Sequence, residues 1–138
     1  VRAFRLLVAA AAACAAPARW DADVLGGEWV LVRIEGAAPL GGTETVLTFA
    51  AGRLYGQAGN RYGASYSRDE ETLAIGPVVS SRMRVDVPPG AHEQETRYLR
   101  LLGEADGWRV SGGRLELLRG DAPVLGFMRR GEARSSPS

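Results

Sequence analysis

The chain has 138 residues, 46% of them apolar and 24% charged, with 17 basic residues against 16 acidic ones. That length suits one domain with its own core, and the composition excludes whole-chain disorder. Every basic residue is an arginine and the arginines are scattered, so no basic footprint marks a nucleic-acid partner.

The amino terminus reads as a targeting segment, residues 1–18. Val1 is what a GTG start codon gives when translated literally. Arg2 and Arg5 precede an apolar run from Leu6 to Ala13 that ends at Cys14, the single cysteine. A short positive region, an apolar stretch too brief to span a bilayer and small residues after it form a secretory signal. Ala11-Ala12-Ala13 before Cys14 fits the small-residue part of a lipoprotein signal, which makes Cys14 the candidate lipidation site, although the favoured leucine is missing. Cleavage after Ala15 or Ala18 is the alternative, because Ala13-Cys14-Ala15 and Ala16-Pro17-Ala18 are both Ala-x-Ala strings. A buried helix is the third option, set aside by the arginines and the polar break after Ala18. Losing residues 1–13 leaves 15 arginines against 16 carboxylates, a nearly neutral mature chain. The expected location is the periplasm or the envelope membrane, through a lipid anchor.

Residues 19–24 read as a linker and 25–130 as the domain. Glu28 to Ile34, rich in branched and aromatic residues, predicts a strand covered on both faces. Gly36 to Thr43 is a loop. Thr45 to Phe49 alternates, Ala51-Gly52 turns, and Arg53-Leu54-Tyr55 returns, which predicts a hairpin. A glycine-rich string, Gly56 to Gly63, leads into a short strand from Ala64 to Ser67. Arg68 to Glu71 is a charged turn. Thr72 to Ile75 alternates and Pro77 ends it. Val78 to Val87 fits neither periodicity. Glu93 to Leu102 predicts a helix, with Tyr98, Leu101 and Leu102 on one face, acids in its first turn and Gly103 as a left-handed terminator. Gly112-Gly113 joins Trp108-Arg109-Val110 to Leu115-Glu116-Leu117 as a second hairpin. A final strand starts at Ala122-Pro123, and residues 131–138 read as a disordered tail. Short, closely spaced strands with one helix predict a mostly β (α+β) domain. Its expected form is a curled antiparallel sheet, or half-open barrel, covered by the helix.

The string Gly56-Gln57-Ala58-Gly59-Asn60-Arg61-Tyr62-Gly63-Ala64-Ser65-Tyr66, followed by Ser81-Arg82-Met83, resembles the META/HslJ domain family. That family carries Gly-x-x-Gly-Cys-Asn-Arg-aromatic-x-Gly-x-Tyr and Thr-Arg-Met-x-Cys there. Trp29 and Leu31, the helix bearing Glu95, Tyr98 and Leu102, and Leu115, Leu117 and Phe127 extend the likeness over roughly residues 25–130. The resemblance implies a non-catalytic protein of the bacterial envelope, linked to stress tolerance or envelope integrity. The family's two cysteines would fall between Gly59 and Asn60 and at Val85, and both are absent. Their joint loss implies that the two positions are neighbours in the fold.

Asn60, Arg61, Tyr62, Tyr66, Ser81, Arg82 and Met83 form the expected structural or binding cluster, with Arg82 bracing the Asn60 bend through its five-donor fork. Glycines 56, 59 and 63 could cradle an anion, but a tight corner or bulge in a curled sheet accounts for them as well. A ligand pocket walled by Arg61, Arg82, Tyr62 and Trp108 is the alternative functional reading. An inhibitor that docks the Gly36–Thr43 loop into a secreted enzyme is another. Nothing points to catalysis, a metal or a cofactor. His92 is the sole histidine, Asp69, Glu70 and Glu71 lack calcium-loop spacing, and Ser65, Ser80, Ser81 and Ser111 have no nucleophile-elbow setting. A partner, if any, is an unknown protein or small ligand of the envelope.

Overall fold

The computed structural model describes residues 24–130. Its elements are β1 (Glu28–Ile34), β2 (Val46–Ala50), β3 (Arg53–Ala58), β4 (Asn60–Arg68), β5 (Leu73–Ile75), β6 (Val79–Ser80), α1 (Ala91–Glu104), β7 (Gly107–Ser111), β8 (Arg114–Arg119) and β9 (Ala122–Arg129). The signal segment with Cys14 and the tail at 131–138 lie outside the described residues.

The strands form one sheet in the order β5-β4-β3-β2-β1-β9-β8-β7, with β6 paired to β4 beside this path. All the pairings are antiparallel. The two end strands then meet. The Leu73 amide donates to the Asp106 carbonyl at 3.0 Å, the Trp108 amide to the Glu71 carbonyl at 3.2 Å, and Thr72 bridges Gly107. The sheet is therefore a nearly closed barrel. This agrees with the expected mostly β class and tightens the half-open form.

Both expected hairpins are present. Ala51 and Gly52 (φ 53° and 83°) and Gly112 and Gly113 (φ 55° and 78°) put two successive residues in the left-handed region. That is the geometry whose twist matches flanking strands. Side-chain alternation then aims Leu47, Phe49, Leu54, Leu115 and Leu117 into the barrel. Strand β1 buries one face rather than two. Trp29 and Leu31 point inward, and a register shift between Leu31 and Arg33 moves the inward position to Ile34, leaving Val30 and Val32 half-buried. The extra residue is a bulge, which bends the strand and resets its parity.

Helix α1 closes one end of the barrel. It buries Tyr98, Leu101 and Leu102 against Trp29 and Phe127 in a shared core, each such side chain contributing about 1.5–3 kcal/mol of transfer free energy. The helix is longer than its sequence signals indicate. Gly103 lies inside it and does not terminate it, and the chain leaves the helix at Ala105 in extended conformation. At the other end Gly90 (φ 94°) offers no side-chain cap. The Asp86 carboxylate serves instead, accepting from the Gly90 and His92 amides at 3.0 and 3.1 Å. Those bonds, the His92 amide's above all, hold the Asp86 carboxyl below its ordinary range.

The glycine-rich string makes the tight corner of a curled sheet that was one of its two expected readings. It is the end of β3, a reversal at Gly59 (φ 93°) and the beginning of β4, with Ala58 paired to Asn60 across the reversal. Val79–Ser80 gives the ambiguous 78–87 stretch its two-residue strand, and the rest up to Asp86 is irregular.

Candidate functional site

Asn60 opens β4 and is 5% exposed. Its side chain is fully engaged. The amide nitrogen donates to the Met83 carbonyl (2.7 Å) and to Glu95 Oε2 (2.8 Å), while Oδ1 accepts from Ser81 Oγ (2.9 Å) and the Met83 amide (3.0 Å). The Asn60 backbone amide adds a second bond to Glu95 Oε2, at 3.1 Å. One asparagine thus fastens three pieces of chain: the β3–β4 reversal, the irregular 81–83 segment and α1. Gly59 is needed beside it. Its φ is left-handed, and an added Cβ would lie 3.3 Å from Glu95 Oε1.

A second pair lies one step along β4. Tyr62 and Tyr98 hydroxyls are 2.6 Å apart with their rings edge to face, and the Tyr62 hydroxyl donates to the Val46 carbonyl at 2.7 Å. That reach is possible because Gly56 stands between β2 and β4. A Cβ on Gly56 would sit 1.8 Å from the Val46 oxygen and 2.7 Å from the Tyr62 hydroxyl. Burial pushes the Tyr62 phenol far above its ordinary value, with the Tyr98 hydrogen bond partly opposing it. Burial likewise raises Tyr98, reinforced by its neighbour Tyr62.

The sign follows directly. Both folded pKa values exceed the unfolded value of about 10, so the stability contributed is complete below about pH 10. It is lost as rising pH ionises these tyrosines in the unfolded chain alone. Urea midpoints measured at about pH 9 and about pH 11 should fall for the native sequence, and fall less for the Tyr62→Phe/Tyr98→Phe double variant.

Of the expected cluster, Asn60, Tyr62, Ser81 and the Met83 backbone come together as described. Tyr66 is half-buried at the far end of β4, edge-on to Phe49 at 5.0 Å. The Arg82 brace is corrected. Arg82 is exposed and makes no hydrogen bond or ion pair among the described residues, and the Met83 side chain is exposed as well. The tie assigned to that arginine is made by Asn60, whose short amide carries both donors and an acceptor and so meets Glu95, Met83 and Ser81 together. The pocket expected between Arg61, Arg82, Tyr62 and Trp108 is also corrected. Trp108 stands at the barrel seam, donating to the Asp69 carbonyl at 3.0 Å beneath the Arg68 guanidinium, while Tyr62 is in the core. Asp69 is occupied in its own turn, accepting from the Thr72 amide and hydroxyl. Among the described residues no group of three or more His, Cys, Asp or Glu is placed to hold a metal ion.

A groove of about 730 Å³ runs over the outer face of β2 and β3 to the first turns of α1. Thr48, Tyr55 and Gln57 form its sheet wall, Val85 and Val87 its rim, and Gly59, Gln94 and Glu95 its far end. Arg61 is the one arginine of the expected cluster on its lining. Gly59 and Val85, the two positions inferred to be neighbours from the missing cysteines, line this same groove. The Gly36–Thr43 loop is tied to the helix, Gln94 accepting from the Leu40 amide at 2.8 Å and donating to Thr43 at 3.1 Å.

Glu95, which the family likeness places on the helix but which the expected cluster omits, is the residue that completes it. Its signal was available: positions 95, 98 and 102 share one helical face, so the glutamate belongs to the buried stripe.

The META domain profile matches residues 22–132. The chain belongs to the META domain family. Two solved structures are similar to it in fold. An NMR structure of a protein from Burkholderia xenovorans superposes with TM-score 0.60 at 24% identity, covering 80% of this chain and 86% of the other. A second NMR structure gives TM-score 0.61 at 16% identity, covering 78% and 92%. At these identities the likeness concerns the fold. No curated protein matches the chain. In this META domain the family's Asn-Arg-aromatic string supplies Asn60 and Tyr62 as structural ties, Tyr62 to Val46 and Tyr98, while the Arg-Met step supplies the Met83 backbone as acceptor and donor for Asn60.

Proposed function

We propose that this META domain protein is an exported, non-catalytic protein of the cell envelope that acts by binding, in support of stress tolerance or envelope integrity. The observation that carries the binding reading is the division of labour between network and groove. The conspicuous polar residues of the family string are consumed in holding the fold, Asn60 and Tyr62 above all. The groove beside them is of small-molecule size and lies open on the outer sheet face. Export rests on Arg2, Arg5, the Leu6–Ala13 run and Cys14, and the envelope role on the family resemblance.

Mass spectrometry of the protein recovered from the native membrane fraction tests the export step. A diacylglyceryl mass on Cys14 is the expected result for an anchored protein, and a chain beginning after Ala15 or Ala18 is the expected result for a freely secreted one. An unprocessed chain in the cytoplasmic fraction overturns export in either form. Loss of the gene should sensitise cells to envelope stress, and unchanged growth under heat and cell-wall antibiotics overturns the role.

A further inference from the structure

Glu95 is 95% withdrawn from solvent, yet only one of its two oxygens is used. Oε2 accepts both donors of Asn60. Oε1 makes no hydrogen bond among the described residues; the His92 imidazole Nδ1 lies 4.0 Å away, beyond hydrogen-bond distance, and is itself a buried nitrogen without a hydrogen-bond partner. A carboxylate so withdrawn from water gains strongly from an arriving cation, because little solvent screens the pair. Glu95 lies on the groove lining, at the end formed by Ala58, Gly59, Val85 and Ala91, where the neighbouring side chains are small or apolar.

The remaining charges of the groove do not answer it. Arg130 is held by Glu28 at 2.8 Å and Glu44 at 3.1 Å at the other end, and the exposed Arg61 is outside ion-pair range of Glu95. We propose that the groove binds a small organic cation, a primary ammonium or guanidinium seated against Glu95 Oε1 with its apolar stem toward Val85 and Ala91. The groove volume of about 730 Å³ favours a small molecule over a docked protein surface. The inference rests on the binding reading given above but not on export.

The test is an amide chemical-shift titration of the full chain with n-butylammonium and methylguanidinium, against neutral n-butanol and a short lysine peptide blocked at both ends. Both cations should give saturable shifts centred on Gly59, Val85 and Glu95, and n-butanol should give none. Glu95→Gln keeps an acceptor for Asn60 while removing the charge, and should weaken cation binding at least about tenfold. Gln57→Lys adds a like charge from an exposed position of the same lining. It should weaken binding about threefold or more, which keeps the test available if the Glu95 variant does not fold. Equal binding of n-butanol, native affinity in both variants, or shifts centred elsewhere overturns the proposal. Binding of the lysine peptide without the free amines also overturns it, in favour of a peptide groove. A processed, exported protein whose groove ignores every cation defeats this inference alone, whereas cation binding by an unprocessed cytoplasmic chain defeats only the export reading.

Discussion

Replacing Gly56 with alanine should cost this fold more than any other single-methyl change described above, at least about 3 kcal/mol and enough to abolish a cooperative unfolding transition in a marginal domain. The reason is geometric. The new Cβ would fall 1.8 Å from the Val46 carbonyl oxygen and 2.8 Å from its carbon, and these are backbone atoms held in the β2–β3 ladder. Nothing there can rotate away. The displaced Val46 carbonyl would also lose the Tyr62 hydroxyl, and the Tyr62–Tyr98 pair with it. Gly41→Ala is the control. No heavy atom would lie within 4 Å of its Cβ and its backbone is not left-handed, so urea midpoints should stay within about 0.5 kcal/mol of the native protein.

The second large effect separates Asn60 from Arg82, residues of the two family motifs that the fold treats in opposite ways. Asn60→Ala should destabilise by about 3 kcal/mol, because it strands the Met83 amide and carbonyl and leaves the buried Glu95 carboxylate with the Asn60 backbone amide as its only donor. Arg82→Ala should change stability by less than about 0.5 kcal/mol, the ordinary range for an exposed side chain. Native-state hydrogen exchange supplies the spatial readout. In the Asn60 variant the Met83 and Ser81 amides should exchange sooner while the β8–β9 ladder keeps its protection. Equal effects of the two substitutions would show that the cluster is braced otherwise.

These contrasts show where a sequence speaks and where it is silent. The hairpins at Ala51-Gly52 and Gly112-Gly113 were legible because a two-residue turn has few backbone solutions and glycine marks them. The helix was legible from Tyr98, Leu101 and Leu102, but its ends were not. Asp86 caps it from outside the helix, and Gly103 fits inside it against Val78 without needing a left-handed backbone. The glycines of the family string were legible as a tight corner in a curled sheet, but not which glycine meets which demand. Gly56 is there to admit a neighbouring carbonyl, a demand made by β2 from ten residues away, and local pattern cannot distinguish that from a turn. Arg82 misled through chemistry. Its guanidinium is the strongest donor set in the cluster, but burying it would have required a compensating acid within reach, and Arg82 pairs with none among the described residues. The groove was invisible for a simpler cause, since it is assembled from the outer face of two strands and a rim that arrives some thirty residues later.

The seam between β5 and β7 has a bearing on how the protein behaves at high concentration. A sheet whose terminal strands lie side by side, with Trp108 and Arg68 stacked over the join, presents much less unpaired backbone than an open ribbon of the same strands. Stray chains looking for a template find that border already taken. Self-concealment of this kind protects a monomer from edge-to-edge stacking without a second subunit, and it places the burden of colloidal solubility on a handful of contacts around one indole ring.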